Sequence, residues 1–130
     1  MTLTGRCLCG SVAFAAPPPS RVHYCHCGMC RRATGSAFAV LAWFNCDEVR
    51  WVSGTPALRR SSALAMRGFC RHCGTSLLLQ YDASKELALM VGAFDRPEDF
   101  APTYHYGVEG RLPWTDCGHG LPERLTEQVL

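Results

Sequence analysis

Seven of the nine cysteines fall into three tight groups: Cys7-x-Cys9, Cys25-x-Cys27-x-x-Cys30 and Cys70-x-x-Cys73. A Cys-x-x-Cys pair on a tight turn presents two thiolates to one ion, and two such pairs from distant sequence complete a tetrahedral site. An odd cysteine count excludes a fully disulfide-bonded monomer. The first apolar stretch, Val12 to Ala16, is too short for a secretory leader, so a reducing, cytoplasmic setting is expected. Clustered cysteines there serve metal better than disulfides.

Two closed four-thiolate sites need eight cysteines, and the three groups supply seven. The expected division puts Cys7, Cys9, Cys70 and Cys73 at a closed, structural zinc. Cys25, Cys27 and Cys30 then hold a second zinc whose fourth position goes to water, substrate or another residue. A closed site stabilises the fold and an open one can do chemistry. His26, His105 or Cys117 could instead close the second site and make it structural. Iron–sulfur ligation, thiol redox chemistry and a nucleic-acid-binding zinc ribbon are weaker readings of the same spacing. Cys46 reads as filler, and Cys117 as an occasional fourth ligand.

The rest of the chain limits the classes. A hydrophobic share of 48% with 18% charged residues excludes intrinsic disorder. No run is long enough for a membrane span, so no membrane partner is expected. A net charge of +2 gives little basis for binding a polyanion, which makes nucleic acid an unlikely partner. The charge is uneven: residues 1–75 hold nine Arg and two acidic residues, residues 76–130 four basic and nine acidic. This fits either a small anionic ligand near the cysteine-rich part or charge pairing within one domain.

Short apolar and alternating segments recur along the chain. Residues 5–15 read as a strand with Cys7 and Cys9 on one side, flanked by Gly5 and Gly10. Residues 22–25, 36–44, 49–52, 58–61, 64–69, 77–81 and 87–91 read as further strands. Cys25 to Cys30 reads as a turn, Arg96 to Phe100 as one helical turn, and Glu123 to Leu130 as a frayed terminal helix. The expected fold is all-β, with small antiparallel sheets organised around zinc sites and little helix, in a single domain over residues 1–130.

GRCLCGSV, CHCGMCRRATG and RGFCRHCGTSL, in that order, resemble the glutathione-dependent formaldehyde-activating enzyme family, whose domain is shared with a centromere-protein family. VRWVSG, Ser61-Ser62 and the PTYHY and LPW segments extend the resemblance over about residues 5 to 116. It implies a zinc protein with one structural zinc on Cys7, Cys9, Cys70 and Cys73 and another on Cys25, Cys27 and Cys30. It also implies formation of S-hydroxymethylglutathione from formaldehyde and glutathione, a carbon–sulfur lyase activity. The late PTYHYGVEGRLPW stretch departs from the more usual His-Ile-Trp, and Arg59 or Arg60 replaces an aromatic before the Ser-Ser pair. Both changes bear on glutathione recognition.

The expected partner is therefore a small-molecule thiol or thiol adduct, and a homodimer remains open. Three thiolates on Zn²⁺ leave a charge of −1, a poor centre for a fourth anion. Arg31 and Arg32, next to Cys30, are the expected cations for that charge or for a substrate carboxylate. His105 and Asp116 are the expected proton-transfer groups, with packing as the alternative for His105. The competing class is a non-catalytic zinc module for protein or nucleic-acid association. A cavity reaching the three-cysteine site distinguishes an enzyme from that module.

Overall fold

A computed structural model describes residues 1–127. The strands are β1 (Leu3–Arg6), β2 (Ala13–Ala16), β3 (Arg21–Cys25), β4 (Ala39–Asn45), β5 (Arg50–Ser53) and β6 (Ala57–Arg60). They continue as β7 (Ala65–Phe69), β8 (Ser76–Tyr81), β9 (Glu86–Met90), β10 (His105–Tyr106) and β11 (Glu123–Arg124). The α-helix among the described residues, α1, spans Gly28–Thr34, and short 3₁₀ turns fill some connections. The all-β expectation holds. One sheet has three strands in the order β1-β2-β5, and the other eight, in the order β11-β10-β3-β4-β9-β8-β7-β6.

Alternation along β4 and β9 explains how one apolar run serves two cores. Ala42, Phe44, Leu87 and Leu89 face a core shared with Phe14, Phe94 and Phe100. Ala39, Leu41, Trp43, Ala88 and Met90 pack on the opposite side with Cys25, Cys27 and Cys30. Successive strand residues point to opposite faces, so a strand buried on both sides reads as a continuous hydrophobic stretch. Phe14, 1% exposed, ties the small sheet to the first core through edge-on contacts with Trp51 and Phe94, centroids 5.8 and 5.1 Å away.

Several local expectations need correction. Residues 5–15 are not one strand: β1 ends at Arg6, and Cys7 to Val12 turn before β2 begins. The Gly10 amide donates to the Cys7 carbonyl at 3.1 Å with φ at +80°, a left-handed bend that glycine adopts without Cβ strain. Curling the chain, rather than extending it, brings the two thiols to one point. The Cys25–Cys30 segment is the entry to α1 rather than a simple turn, because the Cys27 sulfur accepts the Cys30 amide at the N-cap.

The expected terminal helix is also absent at its start. Glu123 and Arg124 form β11, and residues 128–130 lie outside the described residues. Not every pairing is antiparallel: β10 runs parallel to both β3 and β11. Its residues are fastened by the Tyr24 amide to the Tyr104 carbonyl at 3.0 Å and the His26 amide to the Tyr106 carbonyl at 2.9 Å. This docks residues 104–106 beside the three-cysteine segment. No helix among the described residues is long and apolar enough to cross a membrane.

Two candidate metal centres and the cavity between the aromatic walls

The seven paired cysteines gather into the two expected groups. Within each of Cys7–Cys9–Cys70–Cys73 and Cys25–Cys27–Cys30, all sulfurs lie within 4.8 Å of one another. A tetrahedral ion with metal–sulfur bonds of about 2.3 Å separates its sulfurs by about 3.8 Å. The Cys7–Cys9 and Cys9–Cys70 distances, 3.6 and 3.8 Å, fit that edge. So does the 3.5 Å between Cys25 and Cys27. Both clusters could hold a metal.

The four-cysteine cluster joins a turn after β1 to the turn between β7 and β8. Gly74, at φ +81°, lets its amide reach back to the Cys70 carbonyl at 2.8 Å and closes that second turn. The Val12 amide donates to Cys7 Sγ at 3.3 Å and the Cys73 amide to Cys70 Sγ at 3.5 Å. The Thr75 hydroxyl and amide hold the Cys73 thiol down to about 5. Ser11 adds hydroxyl contacts of 3.1 Å to Cys9 and 3.2 Å to Cys70. Such donors favour thiolate, the form that binds metal.

The three-cysteine cluster spans the end of β3 and the first turn of α1, and all three cysteines are buried. Hydrogen bonds from the Cys25 and Cys30 thiols, with the Cys30 amide at 3.3 Å, draw the Cys27 thiol down to about 3. The Cys25 thiol is driven upward in return, because its bond to Cys27 favours the protonated form. Arg67, which the sequence reading did not single out, donates from Nη2 to Cys30 Sγ at 3.6 Å. It is only 9% exposed.

A cavity of about 260 Å³ opens onto this cluster and is lined by both Cys25 and Cys30. Its walls are aromatic: His23, Trp43, Tyr81, Tyr104 and Tyr106. None of Cys7, Cys9, Cys70 and Cys73 lines it. Trp43 and Tyr81 stack nearly parallel, 3° apart, and His23 stacks on Tyr104 with centroids at 4.9 Å. Charged groups complete the lining, with Arg21 paired to Glu86 at 2.8 Å and Arg124 paired to Glu127.

The His23 ring is fixed from both sides. Trp43 Nε1–H donates to Nε2 at 2.8 Å, so Nδ1 carries the proton and donates to the Tyr24 carbonyl at 3.0 Å. Burial, with a smaller push from Arg21, lowers this imidazole to about 4, so it is neutral. Burial also raises the Tyr81 phenol. No group among the described residues hydrogen-bonds the Tyr81 hydroxyl, which leaves that donor free.

None of Arg31, Arg32, His105 and Asp116 lines the cavity. Arg31 and Arg32 lie on α1, Arg32 exposed, and neither hydrogen-bonds a cluster sulfur. Asp116 is exposed in the loop before Cys117. His105 is buried: its Nε2–H donates to the Gly118 carbonyl at 2.8 Å, leaving Nδ1 to accept from His26 Nε2–H at 2.8 Å. It also stacks on Tyr24, rather than among Tyr104, Tyr106 and Trp114. Burial, then electrostatic repulsion from the neighbouring His105, lowers His26 to about 4. Cys117 belongs to neither cluster.

Residues 2–109 match the sequence profile of the glutathione-dependent formaldehyde-activating enzyme family. The chain belongs to that family. The matched region holds all seven clustered cysteines, Arg67 and Tyr81, and stops before Arg124 at the cavity wall. An uncharacterized lyase of Schizosaccharomyces pombe is 33% identical over 84 residues, covering 62% of this chain and 59% of that protein. The chain thus spans about three-fifths of that relative. A solved crystal structure of a Rhodobacter sphaeroides protein superposes with a TM-score of 0.59, covering 93% of this chain and 98% of the other. At 22% identity that likeness shows the fold.

Sequence reasoning missed Arg67 and Tyr81 beside the three cysteines, and also Arg21, His23, Glu86, Arg124 and Glu127 along the cavity wall. The period-two rule puts Ala65 and Arg67 on one face of β7, and the register of β7 with β8 sets Arg67 opposite Leu79 and Ala65 opposite Tyr81. The signal that could have found them is an arginine inside an apolar strand just before Cys70. Its partner cluster lies some forty residues earlier in the chain, so adjacency pointed to Arg31 and Arg32 instead.

Proposed function

We propose that the protein is a zinc-dependent carbon–sulfur lyase that makes or cleaves the adduct of a small thiol, such as glutathione, with formaldehyde or a related electrophile. Cys7, Cys9, Cys70 and Cys73 are its structural ligands, and Cys25, Cys27 and Cys30 its catalytic ones. The observation that carries this reading is the cavity ending on Cys25 and Cys30 while the four-cysteine cluster lies outside it. A non-catalytic module has no use for such access. Family membership and the lyase-named relative support the same reading.

Cys25, Cys27 and Cys30 would hold the zinc ion, which would favour the thiolate form of a substrate thiol at neutral pH. The chain's residues do the rest. The aromatic walls exclude water and hold the two reactants together, which replaces a bimolecular encounter by a pre-oriented one. Arg21 and Arg124 meet the carboxylates of a peptide-like thiol, and Glu86 and Glu127 its ammonium group. When the sulfur adds to the carbonyl carbon, one C–S bond forms and the oxygen gains the proton the thiol has lost. The free hydroxyl of Tyr81 donates a hydrogen bond to that oxygen. His105, through His26, fixes the chain between Cys25 and Cys27.

The test is exchange spectroscopy on a mixture of glutathione and formaldehyde, whose adduct also forms spontaneously. Zinc-loaded protein should accelerate adduct exchange well above the buffer rate, and Cys27→Ser should return it to that rate. Exchange no faster than buffer with two zincs bound per chain would refute the reading for these substrates.

A further inference from the structure

Arg67 is a buried cation without a carboxylate. Among the described residues it forms no salt bridge, and the one hydrogen-bond partner of its guanidinium is the Cys30 sulfur at 3.6 Å. Its Nη1 is buried with no partner at all. Burying an unpaired guanidinium is costly, so something within reach must balance it. The three-cysteine cluster is the candidate that the geometry supplies. Three thiolates carry −3, a divalent cation leaves −1, and Arg67 brings the ensemble to zero.

We propose, resting on the metal reading above, that Arg67 is the built-in countercharge of the three-cysteine centre. It makes retention of a divalent metal on three thiolates favourable and keeps the open position able to accept an anionic sulfur. It is a positioning residue, acting through Cys30. A guanidinium suits the task because it stays charged when buried and keeps its donors in a fixed fork. The role assigned by adjacency to Arg31 and Arg32 is filled from β7, four positions from β3 in the sheet order, by a residue whose Nη1 finds no partner among the described residues.

The test titrates zinc-loaded protein with chelators of graded affinity, alongside cobalt substitution to read the thiolate-to-metal charge-transfer bands. Wild type should release two metals, one more readily. In Arg67→Met the weaker site should lose at least about tenfold in affinity, the scale typical of groups that support a metal ligand. The tighter site and the circular dichroism should stay unchanged, and Arg67→Lys should recover most of the loss. Arg67→Gln, which keeps donors and removes charge, should weaken the site as Met does and decides the matter if the Met variant does not fold. Unchanged weak-site affinity in a folded neutral variant would overturn the inference. A wild-type protein that binds a single metal would overturn the metal reading itself.

Discussion

Replacing His105 by Phe removes two hydrogen bonds at once. The Gly118 carbonyl loses its donor and His26 Nε2–H loses its acceptor, both bonds being 2.8 Å long in a residue only 2% exposed. Each orphaned buried group costs about 1–3 kcal/mol, giving about 2–6 kcal/mol in sum. Phenylalanine retains the stacking on Tyr24, at 4.8 Å between centroids, and recovers roughly 1 kcal/mol of apolar burial. The net loss is about 1–5 kcal/mol, or roughly 3–25 °C in Tm for a chain of this size. Urea unfolding at saturating zinc measures it. The double variant His26→Phe/His105→Phe should cost less than the two single changes together, by about 1–3 kcal/mol, because each single change strands the other's partner. His105→Phe with wild-type stability but activity lost by orders of magnitude would refute the structural assignment and restore His105 as a proton-transfer group.

Cys70→Ser should abolish the fold, since losing a structural zinc forfeits on the order of 10 kcal/mol, comparable to a small domain's whole stability. Cys27→Ser should keep it; soluble yield and circular dichroism check both, and a Cys70→Ser protein melting like wild type would sink the division of labour between the clusters. His23 should titrate near pH 4 by NMR. Between that value and its ordinary 6.5 the unfolded chain binds more protons, so stability rises with pH through this window and is flat above it. The acid-side loss is about 3 kcal/mol, and a ring midpoint near 6.5 would contradict the buried Trp43–His23 pair. Gly68→Ala should cost about 1–3 kcal/mol, because its Cβ would sit 2.6 Å from Leu78 Cγ. A variant as stable as wild type in denaturant would show that β7 and β8 can part at that point.

Cysteine spacing anticipated the two groups into which the sulfurs gather, because a tetrahedral ion needs four donors and closely spaced doublets can supply them only in limited ways. The turns that carry them were read less well. Residues 5–15 alternate like a strand, yet the chain curls at Gly10, since converging sulfurs override the local pattern. The 3.6-residue period of α1 was too short to see in seven residues. It buries Cys30 while turning Arg32 to solvent, which is why a neighbour in sequence is not a neighbour of the sulfur.

Composition, strand-length apolar runs and the three cysteine groups were properties of the sequence itself: local chemistry and short-range spacing determine them. The cavity, the His26–His105 pair and the approach of Arg67 and Tyr81 to the three cysteines were decided only by tertiary structure. Each depends on which strands pair and in what register: β10 parallel to β3, and β8 between β7 and β9. A one-residue slip in β7 would turn Arg67 to the opposite face while leaving every local propensity unchanged. Long-range register, which no short stretch of this chain encodes, is therefore what places a cation against the buried sulfurs.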